Sequence, residues 1–134
     1  MTRFLLDTNI CIYIRRNRPA QVLRRFERLA VGEAAISVIT YGELRYAAEK
    51  SETRTASLDR LLELISLVPA LPRPERAGQA YGYIRASLER AGQTLGNNDL
   101  WIGAHALAAG LVLVTNNERE FKRVPGLALE NWAN

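Results

Sequence analysis

The chain has 134 residues, 48% hydrophobic and 24% charged, the make-up of a single ordinary globular domain. Its net charge is +4 and its pI is near 9.6, almost wholly from arginine, because Lys50 and Lys122 are the only lysines. No apolar run approaches the ~20 residues of a membrane helix, Asp7 interrupts the N-terminus where a signal peptide stays apolar, and the lone Cys11 excludes an internal disulfide or a cysteine-rich zinc site, so a cytoplasmic protein is expected.

Residues 3–6 (Arg-Phe-Leu-Leu) read as a short buried strand ending at Asp7. Cys11, between Ile10 and Ile12, reads as a small buried hydrophobe. A helical stretch follows, and Pro19 splits it in two. Its second part, 20–30, sets Val22, Leu23, Phe26 and Leu29 on one face, and Gly32 ends it. Arg15, Arg16, Arg18, Arg24, Arg25 and Arg28 crowd this region against Glu27 alone, which suits a nucleic-acid backbone, although a solvated helix face or a salt-bridged interface would look the same.

Residues 34–39 are apolar and partly β-branched, a second strand, and Thr40 opens a helix to about Lys50. A helix over 57–66 has Leu58, Leu61, Leu62 and Ile65 as its core face. Leu67-Val68 starts a short third strand, interrupted by Pro69, Pro72 and Pro74. Residues 75–91 form a helix closed by Gly92, and Gly96-Asn97-Asn98 is a turn. Asp99 opens a helix ending at Gly110, 111–114 is a fourth strand, 116–121 a helical turn, and 127–129 an edge strand. Alternation of strands and helices predicts one α/β domain over 1–134, a mostly parallel central sheet of four to five strands flanked by helices.

In open α/β sheets ligands bind beyond the carboxyl ends of the strands. Asp7 follows the first strand, with Thr8 and Asn9 beside it; Glu43 lies one turn past the second; Thr115, Asn116 and Asn117 follow the fourth; Asp99 begins the helix that feeds it. Each has a purely structural reading. Thr40-x-x-Glu43 matches a capping box, and Asp99 suits a helix N-terminus. Asp7 is harder to explain so, because a carboxylate ending a Phe-Leu-Leu strand is partly desolvated and needs a partner. Asp59 reads as a surface charge.

Three convergent carboxylates repel one another, and a hard divalent ion such as Mg2+ or Mn2+ relieves that repulsion. Such an ion can activate water against a phosphodiester with no protein nucleophile. Asp7, Glu43 and Asp99 are therefore the expected catalytic and metal-binding residues. The only histidine, His105, lies six residues past Asp99 and reads as packing or surface. No P-loop or Gly-x-Gly-x-x-Gly motif is present, and Asn9 stands where an aspartyl-phosphate enzyme needs a second Asp.

Four segments together resemble a VapC-type PIN-domain toxin. They are Phe4-Leu5-Leu6-Asp7-Thr8-Asn9, Ser37-Val38-Ile39-Thr40-Tyr41-Gly42-Glu43-Leu44, Gly96-Asn97-Asn98-Asp99-Leu100-Trp101-Ile102 and Val114-Thr115-Asn116-Asn117-Glu118-Arg119-Glu120-Phe121. The tail from Val124 to Trp132 adds to them. The resemblance implies a Mg2+- or Mn2+-dependent endoribonuclease, the toxin of a toxin–antitoxin pair. It implies a homodimer, a VapB-like antitoxin that alone contacts operator DNA, and an RNA target such as the tRNA anticodon stem-loop or ribosomal RNA. The family's acids fall on Asp7, Glu43 and Asp99; a fourth acid common in PIN domains corresponds to Asn117, or alternatively Asn116. Thr8, Asn9, Thr115, Asn116 and Asn117 are then the supporting shell, and Arg15, Arg16, Arg18, Arg24 and Arg25 the RNA-backbone candidates. The competing readings are a non-catalytic RNA- or partner-binding module and a DNA-directed nuclease of the same fold.

Overall fold

A computed structural model describes all of residues 1–134. In chain order the elements are β1 (Phe4–Leu6), α1 (Thr8–Arg16), α2 (Ala20–Glu27), β2 (Ala34–Ser37), α3 (Val38–Glu49) and α4 (Arg54–Leu67). They continue with β3 (Ala70–Leu71), α5 (Arg76–Arg90), α6 (Asn97–Ala109), β4 (Val112–Val114), α7 (Glu118–Phe121) and β5 (Leu129–Glu130). The strands form one parallel sheet in the order β3-β2-β1-β4-β5. No helix is long and apolar enough to cross a membrane.

Strand β1 is buried on both sides, and its two-residue period feeds two cores. Phe4 and Leu6 face a core with Ile10, Ile14, Val22, Leu44, Leu61, Leu64 and the tail residue Trp132, so α1 to α4 lie on that side. Leu5 and Leu113 face the other, with Ile84 and Leu88 from α5, Leu100 and Ile102 from α6, and Phe121. Trp132 meets the Phe4 ring edge-on at 5.5 Å and closes the first core. Gly110 ends α6 at φ +68°, a left-handed conformation costly for any residue with a Cβ.

Several sequence-based boundaries shift. Strand β2 stops at Ser37, whose hydroxyl accepts the Thr40 amide at 3.0 Å and caps α3, so Val38 and Ile39 are helical. The third strand is not at Leu67-Val68: Leu67 completes α4, Val68 terminates it, and pairing with β2 begins at Ala70, beyond Pro69. Leu62 is not a core residue; the inner face of α4 follows Ser57, Leu61 and Leu64 at helical spacing, which leaves Leu62 about 100° round the helix from Leu61 and exposed. The last strand pairs at Leu129 and Glu130, with Leu127 outside it.

Candidate functional site

The sheet order reverses around β1, with β2 on one side and β4 on the other, so the carboxyl end of β1 opens into the crevice where such folds bind ligands. Asp7 stands there. It caps α1, its carboxylate accepting the Ile10 amide at 3.0 Å, and it is only 6% exposed. Burial raises its pKa from 3.8 to about 6; hydrogen bonds from the Thr115 hydroxyl and the Ile10 amide oppose the rise, and the charges of Asp99 and Glu43 add to it. Thr115 is fully buried, and its oxygen also accepts the Asn117 amide at 2.8 Å.

Glu43 comes to this crevice from the middle of α3. Since Ser37 caps that helix, the capping-box reading of Thr40 and Glu43 is incorrect. Instead Glu43 accepts the Thr8 hydroxyl at 2.6 Å and the Asn98 side-chain amide at 3.4 Å, tying α3 to α1 and α6. Asp99 is the third residue of α6, not the first, because the helix begins at Asn97 behind Gly96. It is half-buried, and its pKa is raised first by burial, then by the charges of Glu43 and Glu120.

Glu120 is the acid that sequence reasoning missed. It projects from α7, and the Asn117 side-chain amide donates to it at 3.1 Å. Asn117 thus holds an acid instead of replacing one. The signal was available: Asn117-x-x-Glu120 is one helical turn, which brings Glu120 back over the end of β4. Asn116 turns away, donating to the Tyr13 hydroxyl at 3.1 Å and accepting from Asn131 at 3.1 Å. Asn9 is exposed on the first turn of α1.

Asp7, Glu43 and Asp99 thus act on one another electrostatically beyond the end of β1, and Glu120 acts on Asp99. No three of them converge closely enough to cage an ion unaided. The donors are oxygen throughout: Cys11 is fully buried with its thiol pushed well up, and His105 is buried in α6 with its pKa lowered first by burial and then by Arg73. An all-oxygen set with hydroxyl and amide neighbours fits Mg2+ or Mn2+ held by one or two carboxylates and water better than a caged ion.

The arginines divide. Arg15 and Arg16 join Arg60 around one cleft, while Arg24, Arg25 and Arg28 line another with Gln21 and Trp132. Arg25 pairs with Glu130 at 3.5 Å and lies 5.3 Å and 5.1 Å from the Phe4 and Trp132 ring centres. Arg18 is exposed in the turn before α2.

The PIN domain profile matches residues 4–127. A "Ribonuclease VapC2" of Haemophilus influenzae is 42% identical over 98% of this chain and 99% of its own. A "tRNA(fMet)-specific endonuclease VapC" of Shigella flexneri is 44% identical over 99% and 100%. Among solved structures, DNA-bound VapBC from Salmonella typhimurium superposes with a TM-score of 0.91 at 42% identity, covering 98% of this chain and 99% of that one.

Proposed function

The chain belongs to the PIN-domain family, and from that premise we propose that it is the ribonuclease toxin of a VapBC-type pair, hydrolysing RNA at the crevice beyond β1. The observation that carries the reading is Asp7: a buried carboxylate with its pKa at about 6, beside Glu43 and Asp99, is costly to the fold and suited to a cation. Asp7 and Asp99 are the metal-holding residues, directly or through water, with Mg2+ the expected ion and Mn2+ a competent one. When bound, the ion supplies an activated water and neutralises charge on the phosphodiester oxygens.

The chain's own residues do the rest. Glu43, steadied by Thr8 and Asn98, completes the shell or accepts a proton from the attacking water. Thr115 fixes the Asp7 carboxylate, and Asn117 fixes Glu120. Thr8 and Asn9 flank the entrance on the first turn of α1. Arg15, Arg16 and Arg18 are candidates for the RNA backbone, as is Arg24; Arg25 is the weakest, since it is already engaged.

The relatives named for tRNA(fMet) make the initiator tRNA anticodon stem-loop the first substrate to try. A VapB-like antitoxin is the expected partner, contacting operator DNA on the pair's behalf, and a homodimer the expected assembly. The test is cleavage of that tRNA by the purified protein. Activity with Mg2+ that stops with EDTA and is lost in Asp7→Ala and Asp99→Asn proteins supports the reading. Undiminished cleavage by folded Asp99→Asn sinks it. Preference for single-stranded DNA would favour a DNA-directed nuclease instead.

A further inference from the structure

Helices α1 and α3 run side by side from neighbouring strands. At their starts, Thr8 bridges to Thr40 at 3.4 Å and to Glu43 at 2.6 Å. Past the far end of α3 a cleft of about 300 Å3 opens, lined by Arg15 and Arg16 of α1, Ala47 and Ala48 of α3, Ser51 after it, and Ser57 and Arg60 of α4. None of the three arginines belongs to any of the five ion pairs in the molecule, and the cleft lining contains no carboxylate. The hydroxyls of Ser51 and Ser57 lie 3.1 Å apart, and the Arg60 guanidinium reaches Ser57 at 3.5 Å.

Fold stability explains part of this. Arg15 and Arg16 suit the last turn of α1, where cations meet the negative end of the helix dipole. It does not explain Arg60, which comes from a different helix and repels Arg15. The Arg15 pKa is lowered by burial first and by Arg60 next, so the arrangement works against itself in the free protein. Guanidiniums with no carboxylate partner, beside hydroxyls that bond only to one another, to Thr53 and to Arg60, match a phosphate group.

We propose that this cleft is a phosphate subsite, seating a backbone phosphate of the RNA strand a few nucleotides from the bond that is cut. This rests on the ribonuclease reading above. Arg15 lies eight residues along α1 from Asp7, a rise of ~12 Å. At a stacked rise of ~3.4 Å per nucleotide, that spans about three to four nucleotides, fewer if the strand is stretched. The cleft thus adds Arg60, Ser51 and Ser57 to the RNA-backbone candidates and separates Arg15 and Arg16 from the Arg25 cluster, which is tied to Phe4, Trp132 and Glu130.

The test uses the full chain carrying Asp99→Asn, so that RNA binds without being cut. Binding of a fluorescent single-stranded RNA is measured across a salt series for three additional changes. Arg60→Ala removes a cation, Ala47→Glu places a carboxylate at the exposed rim, and Arg90→Ala removes a distant arginine of α5 as the control for net charge. Expected is a loss of about three- to fivefold for Arg60→Ala at low salt, with the log–log salt slope shallower by about 0.7. Ala47→Glu should lose more, and Arg90→Ala should match the parent.

RNA too short to reach the cleft should bind all four proteins equally. Equal affinity and slope for Arg60→Ala, Ala47→Glu and Arg90→Ala on the long RNA overturns the subsite. So does retention of RNA binding with selective loss of a polyglutamate peptide, which would make an acidic protein segment the occupant. Failure of the ribonuclease reading is separately visible, because the protein with native Asp99 would then not cleave RNA at all.

Discussion

Replacing Asp7 with asparagine should stabilise the metal-free protein at neutral pH while ending its activity. The carboxylate titrates near 3.8 when free and at about 6 in the fold, chiefly because it is buried. Between those values the folded state holds a proton that the unfolded chain has released. Stability therefore falls as pH rises from about 4 to 6, and the whole penalty is present above that range. At 1.36 kcal/mol per pKa unit the gap amounts to about 3 kcal/mol.

Asparagine keeps the capping bond to the Ile10 amide, since it caps about as well as aspartate. Its buried NH2 needs a partner, and a cost of about 1–2 kcal/mol for that group reduces the gain to about 1–2 kcal/mol. For a chain of 134 residues that is ~4–7 °C in Tm. Urea unfolding with EDTA, at pH 4 and pH 8, measures it. The gain should be large at pH 8 and nearly absent at pH 4. An Asp7→Asn protein no more stable than the native one at pH 8, or a gain of equal size at pH 4, would refute the reasoning. Saturating Mg2+ should narrow the gap by raising the native protein's Tm alone.

Glu120→Gln should bring the Asp99 carboxyl down toward its ordinary range and raise the Mg2+ concentration for half-maximal cleavage by roughly tenfold, read from a metal titration of rate. Ser37→Ala should cost about 1 kcal/mol in urea unfolding through loss of the α3 cap, and Thr40→Val less; the reverse order would put the helix start back at Thr40. Leu113→Ala, at a fully buried position of β4, should cost about 2–5 kcal/mol and lower Tm accordingly. Arg25→Ala should lower Tm by a few degrees through the lost contacts with Phe4, Trp132 and Glu130, yet leave the salt slope of RNA binding unchanged.

The α/β alternation and the parallel sheet were legible because hydrophobic period and length differ so sharply between Phe4-Leu5-Leu6 and the amphipathic α2. Element ends were not. Ser37 could have capped a helix or continued a strand, and β-branched Val38 and Ile39 favour the strand by local preference. The Ser37 cap and the packing of α3 against its neighbours overrode that preference. The short third strand was expected but placed too early, at Leu67-Val68, because Pro69 masks its true start, and only pairing with β2 locates it at Ala70.

By itself, the sequence determined which residue types stand at the strand ends: Asp7, Glu43, Asp99 and the Thr115-Asn116-Asn117 turn are read from order and spacing alone. It also determined the excess of arginine. Tertiary structure alone decided what those residues meet. Glu43 turned from a capping partner into a ligand of Thr8 and Asn98, Asn117 from a substitute acid into the holder of Glu120, and one arginine run into two clefts on different surfaces. The reason is range. Periodicity and capping act within a helical turn or two, whereas burial and charge repulsion sum over groups distant in the chain, so the pKa of Asp7 and the company of Arg15 exist only once the chain has folded.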